Sequence, residues 1–155
     1  MNEIEQRLAD LSLTLPTPAA PVANYVPYTR AGTLLFISGQ LPFGADGKIA
    51  AAHSGRVGAE VTPEAAQQAA RLCAVNILAQ AKAALGLLDN VRCLKLIGFV
   101  AAAPDFIAIP AVVNGASDLM VAVLGDRGKH ARSAVGVAQL PLGCAVEVEA
   151  TLEIV

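Results

Sequence analysis

Tryptophan is absent from the 155-residue chain, and two Tyr and four Phe make up an aromatic share of 4 %. Aromatic rings therefore cannot carry the core, which has to be assembled from the Ala, Val, Leu and Ile of a 55 % hydrophobic composition. Charge is also scarce, at 15 % of residues, low for the surface of a soluble monomer. A domain with so few charges is expected to bury part of its surface against copies of itself. No basic cluster exists: 11 Lys and Arg face 13 Asp and Glu, for a net charge of -2. Phosphate backbones need a basic footprint, so the balance weighs against nucleic acid and against ribonuclease chemistry. The three cysteines, Cys73, Cys93 and Cys144, are odd in number and lack any CxxC or Cys/His spacing. That excludes a disulfide framework and a zinc site, and reads as buried reduced thiols in a cytoplasmic protein. No metal or organic cofactor has a ligand set here. The opening residues, MNEIEQRLAD, are acidic and amphipathic rather than basic then apolar, so they do not read as a secretory leader. The apolar stretch 96–113 is interrupted by Pro104, Asp105 and Pro110, whereas a spanning helix wants about 20 uninterrupted apolar residues. No membrane partner is expected.

What is present reads as a single domain over 1–155, in which 1–21 form an N-terminal helix and a proline-rich extension. Ile4, Leu8 and Leu11 recur at helical spacing, predicting a short amphipathic helix over 2–12. PTPAAP at 16–21 is an extended connector, because each proline restrains itself and its predecessor. NYVPYTRAG and TLLFISGQLP read as two strands about a turn at Gly32, and GADGKIAAAHSG as an exposed, mobile loop. Thr62 as N-cap, Pro63 in the first turn and Gly86 at the end bracket a long helix, its apolar stripe running through Ala66, Ala69, Ala70, Cys73, Ile77, Ala81 and Ala84 or Leu85. A buried strand, CLKLIGFVAA, precedes a second helix over 105–124, in which Gly115 costs about 1 kcal/mol relative to alanine. ARSAVGVAQL and AVEVEATLEIV are the last two strands. The order β-β-α-β-α-β-β specifies an α+β fold, a mixed sheet with two helices on one face.

The last two strands suggest a hairpin across PLGC. Pairing Leu140 with Ala145 sets Val135 opposite Ala150 and Val137 opposite Val148, matching apolar with apolar. The valines would then face the helices. Arg132, Ala134, Gly136 and Ala138 would share the other, small-residue face with Glu147 and Glu149. In that register Arg132 and Glu147 lie roughly 20 Å apart along the ribbon, so a site using both would lie between two subunits.

ARSAVGVAQLP…VEVEA, with FISGQLP near the start and PDF…N ahead of the second helix, resembles the RidA/YjgF family over residues 22–155. Its members are reactive-intermediate (enamine/imine) deaminases, long labelled "endoribonuclease L-PSP". The resemblance implies a chorismate-mutase-like fold and a homotrimer whose sheets face a central barrel, with clefts between subunits. It implies hydrolysis of a 2-imino acid to a 2-keto acid and ammonia without a cofactor. By the same resemblance Arg132 grips the substrate carboxylate and Glu147 handles the proton of the hydrolytic water. Tyr25, Ser38, Gly39 and Asn114 line the cleft. Many deaminating members carry a cysteine two residues after the arginine, where this chain has Ala134; that substitution favours an alternative, a trimeric small-carboxylate-binding protein without turnover. His130 and His53 invite a general-base reading, but each sits in a loop context that reads as exposed surface.

Overall fold

The structure, a computed structural model, describes residues 1–18 and 23–155. The predicted connector at 16–21 thus lies partly outside the described residues. Eight regular elements follow in order: α1 Glu3–Asp10, β1 Tyr28–Ala31, β2 Leu34–Gln40, α2 Pro63–Leu85, β3 Val91–Ala101, α3 Ile109–Leu124, β4 Ala131–Val137 and β5 Val146–Ile154. The five strands form one mixed sheet in the order β1-β2-β5-β3-β4, and α2 and α3 pack on one face of it.

Local chemistry accounts for the helix ends. Asn2 and Glu5 form a reciprocal capping box on α1. The Thr62 hydroxyl accepts from the Ala65 N–H at the start of α2, and Gly86 ends that helix with a φ of 80°. The predicted α2 stripe is buried from Ala66 to Ala81, while Ala84 and Leu85 at its end are half-buried. Helix α3 begins at Ile109, later than expected, because Pro110 fits only its first turn. Its apolar character is spent in the core: Val112, Ala116, Leu119 and Val123 are buried together with Val113, Met120 and Leu124. At Gly115 a Cβ would sit 2.0 Å from the backbone oxygen of Gln67. The glycine that looked costly in a helix is what lets α3 lie directly on α2. The N-terminal helix buries Ile4 and Leu8, and its Arg7 donates to the carbonyl of Val123 (3.2 Å), placing a cation at the C-terminal end of α3.

The expected hairpin does not form. β4 pairs with β3, in parallel, while β5 is inserted between β2 and β3 and is antiparallel to both. β3-α3-β4 is a crossover unit, and a strand returning from a covering helix is delivered parallel to the strand that preceded it. The register reverses the face assigned to β4. Arg132 lies beside Leu96, Ala134 beside Gly98 and Gly136 beside Val100, so these three point to the helix side. They are followed by small residues because α3 passes close by: a Cβ at Gly98 would meet Val113 at 2.6 Å. Val135 and Val137, expected inside, share the opposite face. On β5 the prediction holds, with Val146, Val148, Ala150 and Leu152 buried.

The face away from the helices carries Phe36, Ile97, Phe99, Ser133, Val135, Glu147, Glu149 and Thr151. No element among the described residues covers it, and Phe36 and Val135 are exposed there. The glycine-rich segment 44–55, expected to be a mobile loop, is tied down. It contains a 3₁₀ turn at Ala51–His53, Gly55 donates to the Gly143 carbonyl (2.8 Å), and Ala145 donates to that of His53 (2.9 Å).

Candidate active site

Arg132 opens β4 on the side where α3 offers Asn114 and Ser117, which are three residues apart and so lie on one helix face. Its Nη1 donates to Asn114 Oδ1 (2.8 Å) and to Ser117 Oγ (3.2 Å). The Ser117 hydroxyl is in turn 2.9 Å from His130 Nε2, and His130 Nδ1 is 2.6 Å from the Gly128 carbonyl. A carbonyl only accepts, so Nδ1 carries the hydrogen. In the neutral ring Nε2 then accepts from Ser117, leaving the Ser117 oxygen to accept from Arg132. Gly128 fixes the far end of this chain, since a Cβ there would lie 2.2 Å from the Met120 carbonyl oxygen. Among the described residues no carboxylate pairs with Arg132. The guanidinium is held by one nitrogen, and its Nε and Nη2 edge has no partner among the described residues.

Glu147 belongs to a second group. Its carboxylate lies over the backbone of Gly39, where a Cβ would come within 2.3 Å of Oε1. Gly39 sits in an irregularity of the β2–β5 ladder between Ile37 and Gln40, which turns the strand away and makes this room. Burial pushes the Glu147 carboxyl above its ordinary range, and the neighbouring Glu149 adds to the shift. The Ser38 hydroxyl donates to the Val26 carbonyl (2.8 Å) and its N–H to that of Pro27 (2.9 Å). Ser38 thus fixes the segment bearing Tyr25 rather than offering its own hydroxyl. Tyr25 is 58 % exposed. With Gly39 it borders a cavity of about 500 Å³ between the end of β2, α2 and the 141–142 turn.

The predicted residues therefore fall into two sets that do not meet within one chain. Arg132, Asn114 and Ala134 stand at the β4 edge on the helix side. Tyr25, Ser38, Gly39 and Glu147 stand toward the other edge, with Glu147 on the uncovered face. Arg132 and Glu147 are two strands apart and three residues out of step, on opposite faces. Strand spacings put their Cα atoms roughly 14 Å apart. Their separation was foreseen, but from a hairpin that does not exist.

Two members of the arginine group escaped the sequence reading. Ser117 was not singled out, although Asn114 and Ser117 are a polar pair at helical spacing in an otherwise apolar helix. His130 was set aside as surface, yet it is half-buried. His53 lies outside both groups; its buried Nδ1 has no partner among the described residues, and burial lowers its pKa. Burial raises the thiols, Cys93 to about 12 and Cys144 to about 11, which rules out an activated cysteine nucleophile at either. Among the described residues no three His, Cys, Asp or Glu side chains converge as a metal site would require.

Comparison with known proteins places this geometry in context. Residues 5–152 match the family model described as "YjgF/chorismate mutase-like, putative endoribonuclease". The chain is 46 % identical to Protein TCP17 of Trypanosoma cruzi, over 99 % of its own length and 95 % of the relative's. It is 52 % identical to Atu1372 of Agrobacterium tumefaciens, a protein described as of unknown function, with a TM-score of 0.89 over 99 % of this chain and 94 % of that one. The structure of E. coli TdcF with bound serine aligns with a TM-score of 0.63 at 26 % identity, covering 92 % of this chain and 95 % of that one.

Proposed function

The chain belongs to the YjgF/chorismate mutase-like family, and on that premise we propose that it hydrolyses 2-imino acids to 2-keto acids and ammonia in clefts between the subunits of a homotrimer. The observation that carries this reading is Arg132, which among the described residues has no carboxylate partner, is steadied through Nη1 alone and keeps its Nε/Nη2 edge open. That edge presents two parallel N–H groups, the fork that matches the two oxygens of a carboxylate. A relative that holds serine, an amino acid with such a carboxylate, agrees with it.

With the carboxylate so held, the imine carbon faces the neighbouring subunit's Glu147. A water adds to that carbon while Glu147 takes its proton and the imine nitrogen gains one. The carbinolamine then loses ammonia: Glu147 passes the proton it took to the amino nitrogen, the C–N bond breaks with its electron pair leaving on nitrogen as ammonia, and the hydroxyl proton goes to solvent as the carbonyl forms, balancing the one the imine nitrogen took up. A carboxyl held above its ordinary range is a stronger base when ionised and a ready acid when protonated, as this two-way traffic requires. Pairing the uncovered face of one sheet with those of its copies around a three-fold axis would bring the two residue sets together and bury Phe36 and Val135.

The test is to generate 2-iminopropionate or 2-iminobutyrate in situ and follow its decay with and without the protein. Acceleration that disappears in Arg132→Ala is the expected result; equal activity in the variant would overturn the assignment. One feature favours a second reading, binding without turnover. Ala134 stands where the resemblance leads one to expect a cysteine. Unchanged imine decay beside Arg132-dependent binding of 2-ketobutyrate would select it.

A further inference from the structure

The cavity beside Gly39 contains the one polar side chain among the described residues that is counted as buried in the core, Gln80, 8 % exposed. Its carboxamide has no hydrogen-bond partner among the described residues. Asn76, one helical turn earlier on α2, lines the same space. Both hydrogens of its amide are committed to the carbonyls of Leu41 (2.9 Å) and Phe43 (3.1 Å), so toward a ligand it has only its oxygen to give. Neither its amide oxygen nor its amide nitrogen is sealed from solvent, so both remain free to bond water or a ligand in the cavity. The remaining walls are largely apolar, and no charged side chain appears among the lining residues. At the rim stands Leu142, held in the left-handed region (φ 58°) and 73 % exposed, a strained and stranded apolar side chain.

We infer that this cavity is a binding pocket for the substituent on the imine carbon, and that it selects a neutral tail with an apolar stem ending in a hydrogen-bonding group such as a carboxamide. Gly39 is the link, since it borders both the cavity and the Glu147 carboxylate. A space of about 500 Å³ lies within the range of small-molecule pockets and far exceeds what a methyl or ethyl substituent fills. The uncharged lining excludes an ionised tail, which would be buried without a partner. Gln80 supplies a donor and an acceptor and Asn76 a second acceptor, the complement of a primary amide.

This inference rests on the reading that the ligand is a 2-imino or 2-keto acid, and the experiment separates the two. Imines are generated from asparagine and from leucine, whose side chains are near-isosteric, and from alanine as the small reference. The expected order of kcat/KM is asparagine-derived above leucine-derived, by about tenfold for one or two added hydrogen bonds, with the alanine-derived imine lowest. In Gln80→Met, a substitution of similar shape, the asparagine-to-leucine ratio falls toward one. The wild-type comparison needs no variant, so the outcome does not depend on how Gln80→Met folds. The corresponding 2-keto acids are titrated by calorimetry in parallel. A carboxamide preference in binding without imine turnover upholds the pocket and overturns the deaminase reading. Turnover or binding indifferent to the tail overturns the pocket.

Discussion

At the scale of single residues, the proposed site turns on one glycine and one carboxyl group. Gly39 has an ordinary backbone conformation, so alanine fits the strand, but its Cβ would claim the place of Glu147 Oε1. The displaced atom ends a flexible side chain. Gly39→Ala is therefore expected to fold, with a loss of at most about 1 kcal/mol, yet to reduce imine hydrolysis by more than tenfold; near-normal kcat/KM would sink this role. Glu147 itself is held at a cost. Its folded pKa lies above the ordinary 4.5, so its ionisation weakens the fold above that range and has no effect well below it. Glu147→Gln removes the cost: thermal melts should show a higher Tm at pH 7, a gain that vanishes below about pH 4, while hydrolysis is lost.

At the scale of elements, helix α3 is placed by glycine and in turn places the arginine. In an exposed helix Gly→Ala gains about 1 kcal/mol. At Gly115 the new methyl would strike the backbone of α2 rather than a movable side chain. Gly115→Ala should therefore destabilise, by about 1–3 kcal/mol as overpacking does, read as a fall in Tm. The opposite face of α3 steadies Arg132 through Asn114 and Ser117, with His130 behind them. His130→Ala and Ser117→Ala should each raise KM several-fold, as the loss of about 1 kcal/mol of hydrogen bonding does. The double variant should be little worse than either, because the two act through one chain. Additive losses would mean that His130 acts elsewhere.

At the scale of the whole molecule, a site divided between the β4 edge and the β2–β5 side of the sheet, as proposed, would make assembly a condition of activity. Light scattering should give a mass of three 15.8 kDa chains; a monomer would remove the inter-subunit reading. A sharper measurement mixes inactive Arg132→Ala and Glu147→Gln chains after unfolding and refolding. Random trimers should regain roughly a quarter of wild-type sites, those in which each subunit supplies its intact half. No recovery, where wild-type chains refolded alike regain activity, would place both residues in a single-chain site.

Much of this protein was legible from residue order alone. The boundaries of α2 follow from Thr62, Pro63 and Gly86, and the buried face of β5 from simple alternation, because caps and periodicity act within a few residues of sequence. The isolated Arg132 stood out for the same reason, since an apolar run makes a lone cation visible. Strand pairing did not follow. Alternating valines match equally well in a hairpin or on either side of β3, and nothing local favours one partner over another. The choice was made by α3, whose packing returns β4 parallel to β3 and opens the gap that β5 fills. That decision turned Arg132 toward Asn114, Ser117 and His130 and left Glu147 on the uncovered face. Residue chemistry and short-range periodicity were settled by the sequence. Which groups meet, and which stay apart within the chain, was settled only by long-range packing.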